Sequence, residues 1–214
     1  MFSPCALVLV GVDSAVKYQM KLYGDDLKEG DVIMTNSPHA GGSQVLSVLR
    51  SLRLLQLSCR RHLPDITVIS PVFHPESKGI IFFTASRGHH ADIGGILPGS
   101  MPPTSVNIFE EGAEIVSFKL VKEGVFDKEG LHEYMIDKPS KYPGSSGCRN
   151  IRDVESDLKA VSSKALYNNF GIPEKWSISL ANCCQPQRDS ITSPAYAFSF
   201  VCWNRHDQTI HHWA

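Results

Sequence analysis

The residues of this chain whose types and spacing could do chemistry lie in three short stretches: NSPHAGG at 36–42, HLPD at 62–65 and RGHHADIGG at 87–95. The last sets His89 and His90 side by side, with Asp92 two residues on, among Gly88, Gly94 and Gly95. Two histidines and a carboxylate, with other positions left for water or substrate, make a ligand set suited to Zn, Mn or non-haem Fe(II). The same groups could serve as an acid/base pair, or simply hydrogen-bond one another at the solvated end of a turn. Arg87 could grip a carboxylate or phosphate with two parallel N–H bonds, or form an ordinary surface ion pair. The glycines allow backbone conformations and close approaches that other residues resist.

Such groups need rigid elements to hold them. DITVISPVF (65–73) and GIIFFTAS (79–86) are β-branched and aromatic runs separated by the turn cluster HPESK, which predicts a hairpin. With the turn centred near Ser77, residues whose numbers sum to about 154 face one another at roughly 5 Å. Asp65 then faces His89, and His62 faces Asp92. Three histidines and two carboxylates enter one volume. Pro64 biases Leu63 away from helix, so His62 and Asp65 are presented from a kinked, extended segment. In GDVIMTNSPHAGG, the strand-like Val32–Met34 runs into Pro- and Gly-rich backbone, which puts Asn36 and His39 on a loop at a strand's end.

Elsewhere, CALVLVGV (Cys5–Val12) reads as a buried strand, since no Lys or Arg precedes it as in a signal peptide. ILPGSMPP must be irregular. AEIVSFKLVKEG alternates like a half-buried strand, with Val116, Phe118 and Leu120 on one side. Asp127 is placed to cap a short helix. The clearest helix is RDVESDLKAVSSKALYNNF, with Val154, Leu158, Val161, Leu166 and Phe170 at helical spacing and Gly171 and Pro173 as stop signals. Strands first and helices later predict an α+β fold, with a mixed or antiparallel sheet, a central hairpin and helices toward the C-terminus.

The bulk properties exclude several classes. A formal net charge of −1 over 214 residues gives no basic footprint for nucleic acid or an anionic membrane surface. No run approaches the roughly 18 apolar residues of a membrane span. The six cysteines show no paired zinc-site spacing and read as reduced thiols, so a cytoplasmic protein is expected. There is no GxxxxGK[ST] loop, no GxGxxG after a strand and no GxSxG elbow, which disfavours a nucleotide-phosphate cradle and nucleophilic catalysis.

Two stretches do not fit. QVLSVLRSLRLLQLSCRR (44–61) carries six leucines, four arginines and no acid, and taken alone would form a basic amphipathic helix. Residues 172–214 hold all three tryptophans and three of the six cysteines without a helical or strand period.

In GDVIMTNSPHAGGS, HLPDITVISPVF, IIFFTASRGHHADIGGILPGSMPP and GCRNIRDVESDLKA the chain closely resembles the hydantoinase B family, which includes the C-terminal part of ATP-dependent 5-oxoprolinase. The likeness covers residues 13–171 apart from 44–61, and implies a partial domain, a fragment of a larger one, over 1–171. It implies ATP-dependent opening of a cyclic amide, 5-oxo-L-proline to L-glutamate or a related hydantoin, in an oligomer with a hydantoinase A-like component that binds the ATP. Acetone carboxylases look similar here and imply a divalent metal, Zn, Mn or Fe, on His62 and Asp65 with His89 or His90 as third ligand. On that reading His62, Asp65 and His90 form the metal set. Asp92, His89 and Arg87 are the catalytic candidates, with Asp92 a supporting or general-base carboxylate, and Asn36, His39 and Arg87 face the substrate. Removing residues 44–61 restores the family pattern, so that block reads as an insertion, simplest as a retained intron, and 172–214 as a divergent, poorly structured tail. The rival functions are a carboxylase component similar to acetone carboxylase and an inactive truncated or structural subunit.

Overall fold

The hairpin between residues 65 and 89 is the centre of the architecture. The computed structural model describes residues 12–41, 63–74, 76–100, 102–170, 196–204 and 209–213. Within them β2 (Asp65–Phe73) and β3 (Ile80–His89) pair antiparallel from Asp65↔His89 to Val72↔Phe82, in the predicted register, before a one-residue slip at Phe73↔Ile80. The turn closes through His74, whose N donates to Gly79 O at 2.8 Å and whose Nδ1 accepts from Glu76 N and Ser77 N.

On one side of the hairpin β1 (Val32–Thr35) pairs with β2 through Ile33↔Ile69, Met34↔Val68 and Thr35↔Thr67. Beyond it lie β4 (Phe118–Lys122) and β5 (Val125–Phe126). On the other side β3 pairs with β6 (Tyr196–Asn204), and β6 with β7 (Thr209–Trp213). Among the described residues the sheet has seven antiparallel strands, in the order β5-β4-β1-β2-β3-β6-β7. Pro71 is tolerated in a central strand because it lies past the last β1–β2 pair, where no N–H is needed toward β1.

Period-two alternation divides the core between the two faces of the sheet. Ile33, Ile69, Phe83 and Ala85 pack against Val12, Ala15 and Val16 of α1 (Val12–Tyr23). Val32, Met34, Ile66, Val68, Phe118 and Leu120 face the other way, onto Leu131 of α2 (Lys128–His132) and Val154, Leu158 and Val161 of α3 (Ile151–Phe170). Each such aliphatic side chain, fully buried, contributes roughly 1.5–3 kcal/mol. Asp127 caps α2, accepting from Gly130 N at 2.8 Å.

The α+β class and the antiparallel sheet around a central hairpin hold, with two corrections of detail. A helix missed from the sequence, α1, precedes the sheet, and Val12, assigned to a buried strand, is its first residue. Val116 lies outside β4 and is 41% exposed, so the strand begins two residues later than its alternation suggested. Residues 5–11 of the CALVLVGV strand and the 44–61 block lie outside the described residues. Of the tail, 196–204 and 209–213 are described, as β6 and β7.

Candidate functional site

The ladder sets Asp65 opposite His89, and the side chains meet: His89 Nδ1 lies 2.8 Å from Asp65 Oδ1. An ionised carboxylate only accepts, so the shared proton sits on His89 Nδ1 and Nε2 is left as the basic nitrogen. The hydrogen bond to Asp65 raises the His89 pKa above its ordinary value, with partial burial opposing it. The His89 side chain is 46% exposed, so this pair can meet a ligand.

Two positions back on the same face, Arg87 pairs with Thr67 and donates from Nε to Thr67 Oγ1 at 2.8 Å. Arg87 is 1% exposed. Burial lowers its pKa, while the charges of Asp65 and of Asp13, in the first turn of α1, favour the charged form. A guanidinium so enclosed is placed to hold Asp65 and the sheet rather than to grip a free ligand. His90 follows β3 and is buried, with its N donating to Pro64 O at 2.9 Å. Burial pushes its imidazole down to about 4, helped by His89 and opposed by Asp65, so the ring is neutral at physiological pH, as a metal ligand or hydrogen-bond acceptor must be.

The remaining candidates have other partners. Asp92 turns toward the segment before α3: Oδ1 accepts from Gly94 N at 2.9 Å and Ser100 Oγ at 3.2 Å, and Oδ2 from Arg149 N at 2.9 Å. Asn36 is buried and ties three backbone segments, donating from Nδ2 to Leu63 O and Ala113 O and accepting from Ile115 N through Oδ1. It positions the residues entering β2, and its amide is spent on backbone. His39 is exposed on a short 3-10 turn, Pro38–Ala40. His62, and with it the proposed His62–Asp92 pairing, lies outside the described residues.

The structure thus brings Asp65, Arg87, His89 and His90 to one end of the hairpin, while the Asp92 and Asn36 side chains are hydrogen-bonded to other partners. Among the described residues no group of three or more His, Cys, Asp or Glu side chains is placed to hold a metal ion. Asp65 and the neutral His90 are suitable donors, and the set would need His62 to complete it. Three partners were missed from sequence. Thr67 was within reach of the hairpin arithmetic, whereas Asp13 and Arg149 carry no local signal. No described helix is long and apolar enough to cross a membrane.

The family model described as hydantoinase B/oxoprolinase matches residues 57–166, just over half of the chain. The chain is 48% identical over 159 residues to 5-oxoprolinase 1 of Arabidopsis thaliana, covering 71% of this chain and 11% of that protein. It is 33% identical over 111 residues to caprolactamase subunit beta of Pseudomonas jessenii, covering 51% and 16%. The crystal structure of the ATP-dependent caprolactamase from Pseudomonas jessenii shares its fold, with a TM-score of 0.55 at 22% identity over 83% of this chain and 26% of that one. The chain therefore spans about a tenth of the length of the 5-oxoprolinase it matches.

Proposed function

This chain belongs to the hydantoinase B/oxoprolinase family, and from that premise we propose that it takes part in ATP-dependent hydrolysis of a cyclic amide. The substrate is 5-oxo-L-proline or a related hydantoin, and the chain acts as the B-type component beside an ATP-binding A-type component. The observation that carries the reading is the Asp65–His89 pair, which lies with buried, neutral His90 inside the segment that matches the family. The relatives named for 5-oxoproline and caprolactam hydrolysis supply the substrate class. The name subunit beta supports a separate partner.

His89 acts as the base. Asp65 holds the Nδ1 proton, so Nε2 takes a proton from the water that attacks the activated ring carbonyl carbon. The C–N bond of the ring then opens, the departing nitrogen takes the proton from His89, and the phosphoryl group that ATP had placed on the carbonyl oxygen leaves as inorganic phosphate. Arg87, buried and hydrogen-bonded to Thr67, sets a positive charge near Asp65. Asp65, His90 and His62 are the residues that would hold a divalent metal, whose chemistry when bound is to lower the pKa of water and polarise a carbonyl.

The test is to combine the purified full chain with an A-type component, ATP and 5-oxo-L-proline and to measure glutamate and ADP. Formation of both, dependent on this chain, is expected. ATP consumption only with acetone and bicarbonate would favour the carboxylase, and no turnover with any of these substrates would favour an inactive subunit.

A further inference from the structure

We propose that Arg149 is a positioning residue for the hairpin site, acting through Asp92, so that the two form a clasp fixing the turn that carries His89 and His90. The clasp stands on its own geometry, and only its effect on turnover rests on the function proposed above. Both Asp92 oxygens are occupied. Gly94 N and Ser100 Oγ donate to Oδ1, Arg149 N donates to Oδ2, and Arg149 Nη1 reaches both oxygens at 3.4 Å. A carboxylate accepting from so many fixed donors is poorly placed to take a proton from substrate, but well placed to hold a loop.

The loop is fastened along its length. His90 N donates to Pro64 O, Ile93 N and Gly95 N donate to Ser100 Oγ, and Arg149 Nη2 donates to Gly95 O at 3.1 Å. Between the anchored His90 N and the anchored Asp92 carboxylate only Ala91 intervenes. The paired glycines make the close approach feasible: a Cβ on Gly94 would come within 2.8 Å of Cys148 N, and one on Gly95 within 2.7 Å of Glu111 O. Gly94 also has a φ of +88°. Arg149 stands two residues before α3, whose Val154, Leu158 and Val161 lie in the core, so the clasp ties the site turn to a rigid support. The Arg149 side chain is 36% exposed, so its removal should leave the fold intact.

The experiment uses the full chain with isotope-labelled histidine and compares the wild type with Arg149→Ala, Arg149→Lys, Asp92→Ala and the double alanine variant. The His89 and His90 ring signals should move in Arg149→Ala and return part-way in Arg149→Lys, while the amide signals of β1 and β2 stay in place. With the A-type component, kcat should fall about 10–100-fold with KM changed less than about threefold. The double variant should fall no further than the worse single one, the mark of residues acting as a unit. Unmoved ring signals in Arg149→Ala, or losses that multiply in the double variant, would overturn the clasp. The ring signals decide it without turnover, so a wild type that opens no ring would overturn the functional reading alone.

Discussion

Asp65 and His89 are cross-strand partners whose side chains meet at 2.8 Å, so that one carboxylate oxygen selects which imidazole nitrogen carries the proton. Asp65→Asn should therefore cost far more than a lost surface contact, because the amide can present its NH2 to the ring and favour the other tautomer. ATP-dependent turnover is expected to fall by about 10²-fold or more, within the range of general acid–base catalysis. Steady-state kinetics would check it, with circular dichroism showing the fold retained.

Asn36 makes three side-chain hydrogen bonds to backbone from a buried position. Asn36→Ala strands Leu63 O, Ala113 O and Ile115 N, and should destabilise by about 3 kcal/mol or more in urea unfolding. Should stability stay unchanged while KM for the cyclic amide rises, Asn36 would be a substrate contact after all.

Arg87 and Thr67 form a buried pair at the heart of the hairpin. Thr67→Val keeps the shape and removes the acceptor, with an expected cost of about 1.5–3 kcal/mol for a hydrogen bond to a charged group. Arg87→Met leaves Asp65 without its buried counter-charge, and should lower turnover as well as stability. Thermal melts and kinetics on the same preparations separate the two effects.

The hairpin and its chemistry were legible because they rest on local rules. Alternation and a turn cluster set the β2–β3 register, and the register alone brought Asp65 to His89. The Asp127 cap and the Val154, Leu158 and Val161 face of α3 were legible for the same reason. Helix α1 was not, because its buried face includes Gln19, a polar residue that masks the apolar period. Asn36 looked like a substrate-facing group, and Asp92 like a supporting or general-base carboxylate, because polar residues on loops beside strands often serve a site. Their partners, Arg149 and the backbone at 113–115, lie far along the chain, and only the folded molecule shows that these side chains are occupied. The burial of Arg87 was likewise not legible, since nothing in its own stretch of sequence announces it.

Asp31 gives the fold an acid-sensitive joint. Burial alone would raise its pKa, but hydrogen bonds from Lys119 Nζ, Glu123 N and Lys28 N outweigh that and hold it below the usual carboxylate range. A depressed carboxyl contributes its stability in full above the unfolded value, near pH 4, and loses it as pH falls through the folded value. Melting temperatures should decline below about pH 4. Asp31→Asn should be less stable at neutral pH and show a shallower decline.

The most direct test of the hairpin end as the reacting centre is the rate of ATP-dependent glutamate formation from 5-oxo-L-proline, with the A-type component present, for the wild type and for His89→Ala. If the hairpin end is the reacting centre, the wild type turns over and His89→Ala loses about 10²-fold or more with β1 and β2 intact. An equal rate from His89→Ala would contradict it.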